Sequence, residues 1–205
     1  DEEGLTDCKI IVSNALDEYL ITELLSQGAS IDAFGIGERL ITAKSDAVFG
    51  CVYKLAAVED RDGKITPKIK VSENAAKITN PGFKKLFRLY SNKTGKAEAD
   101  LIMMHDETID QSAPLQIFDP EYTWKRRVLC DFTAREVLVP IFRSGKLVYN
   151  MPPLDEIRDH CKRELATMWT EVLRFENPHN YYVDLSQKLW DLKYSMVSHF
   201  IKGDK

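Results

Sequence analysis

The segment Ile31-Asp-Ala-Phe-Gly-Ile-Gly-Glu-Arg-Leu-Ile41 places two glycines, Gly35 and Gly37, directly after a short apolar run. This pattern is typical of a buried strand that ends in a loop close to a ligand. Glycines can reach φ > 0, and no side chain covers their backbone N–H groups. Such N–H groups, with a helix N-terminus behind them, favour a bound phosphate. Because two glycines also occur in ordinary tight turns, the neighbouring residues must decide between these uses.

The residues before this loop complete a strand–helix–strand unit. The β-branched run 8–12 predicts the first strand, and 31–34 predicts the second. Between them, Ser13 and Asn14 are the predicted N-cap residues of a helix that ends at Gly28. We expect the strands to be parallel with a right-handed crossover, so that both end at one edge of the sheet. Ligands of α/β proteins collect at that edge, which favours phosphate binding here.

The middle of the chain predicts antiparallel hairpins. An Asp-Gly turn and a Lys-Thr-Gly turn separate runs with strand character, and Thr79-Asn-Pro-Gly82 predicts a tight turn between the two hairpins. The paired segments are 48–58 with 65–71, and 85–90 with 97–104. The chain is therefore expected to leave a parallel sheet and to join a different, antiparallel one.

The last third predicts two amphipathic helices, 154–174 and 185–201. Asp184 is the expected N-cap of the second helix, and Gly203 is expected to stop it. Apolar stripes at helical spacing predict core packing. The stripes consist of Leu154, Ile157, Cys161, Leu165, Met168, Trp169 and Val172 in the first helix, and of Leu189, Trp190, Leu192, Met196, Val197 and Phe200 in the second.

Composition narrows the class of protein. The 205 residues carry a net charge of −4 with basic and acidic residues mixed, and Lys125-Arg-Arg127 is the one dense basic triplet. This distribution argues against a nucleic-acid partner. No apolar run approaches membrane-spanning length, so no membrane partner is expected. The protein is predicted to be soluble and cytoplasmic.

Cysteine and histidine positions predict neither a metal site nor a catalytic pair. The four cysteines are widely spaced, and three lie in apolar surroundings where buried free thiols are expected. This usage fits a reducing cytoplasm rather than a disulfide framework. The four histidines are equally scattered, and none is predicted to act as a catalytic base.

The start of the chain leads almost at once into a parallel strand. Two-stranded parallel sheets are marginal on their own, so the sequence predicts the carboxyl-terminal piece of a longer protein. A trimmed small domain is the alternative interpretation.

Six segments resemble, in order, those of nicotinate phosphoribosyltransferases. They are Val12-Ser-Asn-Ala-Leu-Asp-Glu18, Ile31-Asp-Ala-Phe-Gly-Ile-Gly37, Phe49-Gly-Cys-Val-Tyr-Lys-Leu55, Lys77-Ile-Thr-Asn-Pro-Gly82, Pro153-Leu-Asp-Glu-Ile157 and Tyr182-Val-Asp-Leu-Ser186. The resemblance runs through nearly the whole chain but covers only the carboxyl-terminal part of a family member.

This resemblance implies the transfer of a phosphoribosyl group from phosphoribosyl pyrophosphate to nicotinate, in NAD salvage. It implies Mg²⁺ with the phosphoribosyl substrate, ATP as co-substrate, and a homodimeric parent enzyme. The implied α/β fold is the last strands of an irregular type II phosphoribosyltransferase barrel, followed by antiparallel hairpins and a helical carboxyl-terminal extension. The corresponding parts are 1–47, with the phosphate loop, 48–150 and 151–205.

The resemblance also assigns residues. It implies that Gly35 and Gly37 hold the 5′-phosphate of the ribosyl substrate, with Ser13 and Asn14 near the ribose and phosphate. At position 38, where many family members have Thr, this chain has Glu38. A carboxylate facing a phosphate is unfavourable, so this side chain is expected to point away or to pair with its neighbour.

Arg39 and Lys54 are the candidates for a positive charge at the phosphate. For each of them a surface ion pair is the alternative. The resemblance implies that the family's nicotinate pocket and phosphorylated histidine lie upstream, so the main catalytic residues are expected outside this chain and the isolated chain is expected to be inactive.

Two other functions stay open. As alternatives to the nicotinate enzyme, the chain is a non-catalytic stabilising or oligomerisation module, or it is part of a related phosphoribosyltransferase that acts on nicotinamide or quinolinate. Base specificity depends mainly on residues outside the chain.

Overall fold

The structure, a computed structural model, describes residues 3–48, 50–74 and 77–202. The chain divides into two compact units, Asp1–Tyr53 and Lys54–Lys205. The first unit contains β1 (Ile11–Ser13), α1 (Glu18–Ser26), β2 (Ala33–Gly35) and α2 (Glu38–Ile41). The second contains β3 (Ala57–Glu59), β4 (Ile65–Pro67), β5 (Lys84–Ser91), β6 (Ala97–Met104), β7 (Leu115–Phe118), β8 (Arg126–Leu129), β9 (Phe132–Glu136), β10 (Phe142–Arg143), β11 (Lys146–Leu147), α3 (Leu154–Thr167), β12 (Val183–Leu185) and α4 (Gln187–Lys202).

In the first unit, β1 and β2 form a parallel pair, as predicted. Both strands begin two or three residues later than the sequence pattern predicted. The shift has a local cause, because the Asp32 side chain caps the start of the strand pair. Its Oδ2 accepts a hydrogen bond from the Ile10 N–H at 2.8 Å, and the Ile10 carbonyl accepts one from Ala33 at 3.2 Å.

Helix α1 begins later than predicted, so Ser13 and Asn14 are not its caps. The N-cap is Asp17, whose Oδ1 accepts a hydrogen bond from the Leu20 N–H at 2.9 Å. Its carboxyl end agrees with the prediction: Gln27 is the C-cap, and Gly28 follows in the left-handed region with φ 78°.

The first unit buries little apolar surface. Leu16 is 2% exposed and is the one fully buried hydrophobic side chain among the described residues before Tyr53. The apolar residues of α1 stay accessible, and Leu25 is 52% exposed. Capping and backbone hydrogen bonds, rather than a core, define these elements.

The second unit is built on a four-stranded sheet with the order β12-β6-β5-β9. The neighbours β5 and β6 are antiparallel and occupy the segments that the sequence predicted. β9 extends the sheet in antiparallel fashion, while β12 joins the other edge in parallel. One side chain cluster forms the main core, and its buried members are Leu89, Ala99, Leu101, Met103, Ile117 and Phe132.

The carboxyl-terminal segment adds both a strand and a helix to this unit. Leu185 of β12 and Leu189 of α4 pack with Met104 in a second buried cluster. The predicted N-cap was wrong, because Asp184 lies within β12. The side chain of Ser186 takes that role, its Oγ accepting a hydrogen bond from the Leu189 N–H at 3.2 Å. The predicted stop at Gly203 lies outside the described residues.

Helix α3 is shorter than predicted and ends at Thr167. The ammonium group of Lys96 donates hydrogen bonds to the carbonyls of Ala166 and Met168, at 2.9 and 3.1 Å, so a side chain from the sheet holds the end of the helix. The predicted burial of its apolar stripe is also wrong: α3 has no buried residue, and Leu154 is 68% exposed.

Ion pairs connect α3 to the sheet instead. Arg88 on β5 donates to both carboxylate oxygens of Asp100, directly opposite on β6, at 2.8 and 3.0 Å. It also donates to Glu164 of α3 at 3.1 Å, and Arg135 of β9 donates to the same carboxylate at 2.7 and 2.8 Å. Because the Asp100 carboxylate stabilises its charge, the pKa of Arg88 is raised.

Two further predictions need correction. The run 48–58 contains regular strand only from Ala57, where β3 pairs with β4; Val52, which is 83% exposed, has no partner strand within the described parts of the chain. The four cysteines are free, as expected, but all are exposed rather than buried, because apolar neighbours in the sequence do not by themselves bring a thiol into the core.

The structure also contains pairs that the sequence did not predict, β7 with β8 and β10 with β11. Mixed sheets with few helices agree with the coarse class. The barrel origin of β1 and β2 and the three-part division stay predictions.

Candidate functional site

The parallel ladder of the first unit brings the predicted site residues to one edge. Ser13 and Gly35 are register partners at the last position of β1 and β2. Asn14 follows the first strand directly, and Gly37 follows the second after one residue. These four residues therefore lie where the carboxyl ends of two parallel strands meet, as the sequence predicted.

The glycines do not use the left-handed backbone that the sequence pattern favoured. Neither adopts φ > 0; Gly37 has φ −122°. At Gly35, a Cβ atom would lie 2.9 Å from Ser13 Oγ and 3.1 Å from Ser13 Cβ. The absent side chain at position 35 thus permits close approach of the two strand ends. At Gly37 a Cβ atom would meet nothing within 4 Å, so local packing does not require glycine there.

Left-handed backbone occurs instead in the loop after β1. Asn14 has φ 95° and Ala15 has φ 47°. Non-glycine residues in this region carry strain on the order of 1–3 kcal/mol, and such residues concentrate at functional sites. Asparagine tolerates this region better than most residues, so Asn14 carries a sequence signal that the helix-cap interpretation missed.

Of the two charged side chains directly after Gly37, Arg39 is paired and Glu38 is exposed. Arg39 Nη1 donates to Asp17 Oδ2 at 2.8 Å, so the predicted alternative of an ion pair applies to this arginine. A backbone hydrogen bond from Leu20 and then the Arg39 contact lower the pKa of Asp17. Glu38 is exposed at the start of α2 and forms no ion pair with Arg39.

Lys54, the other predicted source of positive charge, belongs to the second unit. Its ammonium group donates to the Lys77 carbonyl at 2.8 Å. Both predicted cations therefore have partners of their own, Asp17 for Arg39 and the Lys77 carbonyl for Lys54.

The second unit contains an open cleft of about 1040 Å³ that the sequence did not predict. Segments 97–98, 119–127, 169–172 and 178–184 line it. Its charged side chains are the carboxylates Glu98, Asp119, Glu121, Glu171 and Asp184 and the cations Lys125 and Arg127. The predicted helix cap, Asp184, is thus a cleft residue, and only the pairing of β12 with the distant β6 reveals it.

Neither unit offers a metal site among residues 3–48, 50–74 and 77–202, where no three His, Cys, Asp or Glu residues are placed to hold an ion. None of the helices in these ranges is long and apolar enough to cross a membrane. The histidines are not grouped: His105 packs on Phe83 with ring centroids 5.1 Å apart, and His179 lines the cleft.

Comparison with known proteins identifies relatives along nearly the whole chain. Residues 83–193 match the family model described as nicotinate phosphoribosyltransferase C-terminal domain. The nicotinate phosphoribosyltransferase of Bacillus subtilis is 38% identical over 203 residues, which are 99% of this chain and 41% of that protein. The Caenorhabditis elegans protein of the same name is 32% identical and covers 91% of this chain, with 33% of its own length matched.

A solved structure agrees with the fold. The crystal structure of human nicotinic acid phosphoribosyltransferase aligns over 93% of this chain and 33% of its own, with a TM-score of 0.70 and 24% identity. The chain spans roughly a third to two fifths of the relatives it matches. Because the family model matches more than half of the chain and the sequence identities extend beyond it, the chain belongs to the nicotinate phosphoribosyltransferase family.

Proposed function

We propose that this chain contributes to the transfer of a phosphoribosyl group from phosphoribosyl pyrophosphate to nicotinate, giving nicotinate mononucleotide and pyrophosphate in NAD salvage. The observation that carries the proposal is 38% identity to the Bacillus subtilis enzyme over 99% of this chain. Identity that extends over nearly the whole chain supports a shared role better than a single shared motif does. ATP as co-substrate, a cytoplasmic location and a homodimer belong to the same proposal.

Within this reaction we assign phosphate binding to the edge formed by β1 and β2. The backbone N–H groups near Gly35 and Gly37 are the proposed donors to the 5′-phosphate, with Ser13 and Asn14 beside them. The paired strand ends and the close approach at Gly35 support this assignment. Glu38 is assigned no phosphate contact because its exposed carboxylate would repel the anion. Arg39 acts through Asp17, whose position at the start of α1 it stabilises.

The chemistry requires positioning more than a protein nucleophile. Phosphoribosyl transfer passes through an oxocarbenium-like state, so fixing the 5′-phosphate determines where the anomeric carbon meets the incoming base. The described residues do not form a carboxylate cluster suited to Mg²⁺. We therefore assign Mg²⁺ to the pyrophosphate of the substrate rather than to side chains of the described residues.

A second candidate is a stabilising module without its own ligand. One observation favours it: the family model matches residues 83–193, which lie in the second unit and contain none of the proposed phosphate residues. The two candidates differ in whether the chain by itself binds nicotinate mononucleotide. The third possibility is a related transferase that acts on nicotinamide or quinolinate. A turnover assay in which nicotinate, nicotinamide and quinolinate compete distinguishes it from the other two candidates.

The test is an amide NMR titration of the protein with nicotinate mononucleotide. We expect selective shifts at Ser13, Asn14 and residues 35–39, and we expect Gly37→Val to abolish them. Gly50→Val is the matched control, since neither glycine has φ > 0 and a Cβ atom at either meets nothing within 4 Å. A folded spectrum without these shifts would overturn the phosphate assignment and favour the module.

A further inference from the structure

The cleft of the second unit has an excess of negative charge at its walls. Five carboxylates and two basic side chains line it. Both basic groups already have partners. Arg127 Nη2 donates to the Glu98 carbonyl at 2.9 Å and its guanidinium lies 4.5 Å from the centroid of the Tyr182 ring; Lys125 Nζ lies 4.3 Å from the Tyr122 ring centroid. An anion would therefore meet more repulsion than attraction here.

One carboxylate of the cleft lacks a partner. Asp184 is 3% exposed, yet no backbone or side-chain group within the described ranges donates a hydrogen bond to its carboxylate. By contrast, Asp119 accepts hydrogen bonds from the N–H groups of Glu121 and Tyr122 at 2.9 and 3.0 Å. Because this side chain lines the open cleft, only solvent or a ligand in the cleft can satisfy it, and a ligand that donates a hydrogen bond there would replace the water.

The surroundings of Asp184 support this interpretation. Burial raises the pKa of its carboxyl group to about 6, although Arg127 lowers it; the nearby Asp119 raises it further. The charge of Arg127 therefore compensates only part of the cost, and the two share no ion pair within 4.0 Å. A ligand that donates a charged hydrogen bond would supply the missing compensation.

The cleft also has flat apolar surface. The Trp169 indole N–H donates to the Ala97 carbonyl at 3.1 Å, which fixes the orientation of that ring. Tyr122 and Tyr182 line the cleft as well, and each already has a cation over its ring. Among the described residues no cation lies over the Trp169 ring, so an organic cation bound beside the carboxylates can gain a cation–π contact there as well as charged hydrogen bonds.

We propose that this cleft binds a small organic cation, an alkylguanidinium or alkylammonium, whose N–H groups donate to Asp184 and whose alkyl part rests on the aromatic wall. A metal ion fits less well, because in the described chain no three potential ligands converge. This inference concerns the second unit alone and does not depend on the proposed transferase reaction, so either can fail without the other.

The test is calorimetric titration of the purified protein with n-butylguanidinium, with the Trp169 indole N–H signal followed by NMR in parallel. We expect a Kd of about 1 mM or tighter and a shift of that indole signal. The neutral isostere n-butylurea should bind at least about tenfold more weakly, since a charged hydrogen bond contributes that much. Equal binding of the two, or no binding at a tenfold excess over this Kd, would overturn the proposal.

Variants locate the site. Asp184→Asn should weaken n-butylguanidinium binding about tenfold or more, whereas Asp106→Asn, which removes the same charge outside the cleft, should change it less than about threefold. Thermal melting verifies that both variants are folded. Equal losses in the two variants would show a non-specific charge effect and refute the site.

A last comparison separates a free ligand from an arginine side chain of another protein. N-acetylarginine N-methylamide carries the same guanidinium group between two peptide bonds. Tighter binding of n-butylguanidinium supports a small-molecule cation. The opposite order would overturn that part of the proposal and indicate a peptide ligand.

Discussion

The strand pair of the first unit and the central strand pair of the second are stabilised in two different ways. β1 and β2 pair over three residues each and bury almost no apolar surface of their own, while β5 and β6 extend over eight residues each within the main core. In the first, the side chains of Asp32 and Asp17 fix the ends of the elements. In the second, burial on both sides of the sheet fixes them.

This difference matters for the proposed sites. The glycine loop of the first unit depends on local hydrogen bonds and on one close approach, between Gly35 and Ser13. The cleft of the second unit contains Asp184, which belongs to β12 and is held in place by the pairing of that strand with β6. Four experiments test this difference between the units, and each uses a variant together with a matched control variant.

The largest effect should come from removing a core side chain. Leu89→Ala in the main cluster should lower the free energy of unfolding of the second unit by about 4 kcal/mol, since Leu89 is fully buried. The same change at the exposed Leu25 of α1 should cost only about 0.5 kcal/mol. Urea unfolding read from the NMR signals of Leu101 and Val12 measures the two units separately. Similar losses in both variants would contradict the assigned difference in burial.

Next in size is the ion pair between β5 and β6. Arg88→Met leaves the largely buried Asp100 without its partner and should destabilise the second unit by about 3 kcal/mol. Arg39→Met breaks an accessible pair with Asp17 in the first unit and should leave the urea midpoint of Val12 nearly unchanged. A marked loss in the Arg39 variant alongside a small one in the Arg88 variant would reverse the proposed roles.

Removing the unpaired charge of Asp184 should stabilise the fold by an amount that depends on pH. Because the folded-state pKa of Asp184, about 6, lies above its ordinary 3.8, ionisation destabilises the fold above pH 6, and this penalty disappears as pH falls toward 3.8. Asp184→Asn should therefore add about 3 kcal/mol at pH 8 and much less at pH 4. The free energies of unfolding of the wild type and the variant in urea, measured at pH 4 and pH 8, test this prediction, and Asp106→Asn is the control. A loss of stability at pH 8 would show that the carboxylate has a donor.

The smallest effect concerns the close approach in the first unit. Gly35→Ala should cost about 1 kcal/mol, because the new Cβ atom would lie within 3 Å of the Ser13 hydroxyl oxygen. In a Ser13→Ala background this oxygen is absent, and the cost should fall. A double-mutant cycle on the Val12 signal measures the coupling. Additive effects would mean that the strand ends separate freely.

Local patterns predicted the local parts of this fold. The runs on both sides of Asn92-Lys-Thr-Gly95 contain their own turn and pairing signals, so β5 and β6 appear where expected. Gly28 likewise terminates α1 through its own backbone preference. For the candidate site, the order of strand, helix and strand was enough to bring Ser13 and Gly35 to the same edge.

Contacts between distant segments account for what the sequence did not predict. Asp184 has the residue type and position of a helix cap, and only pairing with β6 makes it part of a strand. The end of α3 depends on Lys96, which is far from it in sequence. Likewise, the β-branched residues near Val52 form no strand because strand character needs a partner as well as a suitable side chain.

The position of β12 has a consequence for folding kinetics. β5 and β6 are joined by a tight turn, so they can associate early at little cost in loop entropy. β12 reaches β6 only after closing a loop of about eighty residues, and the cluster of Met104, Leu185 and Leu189 forms with it. Until then β6 has an open edge with unpaired backbone groups. Such an edge can pair with another chain and cause aggregation during refolding. The last helix thus acts, through the strand before it, as the final closing step of the sheet.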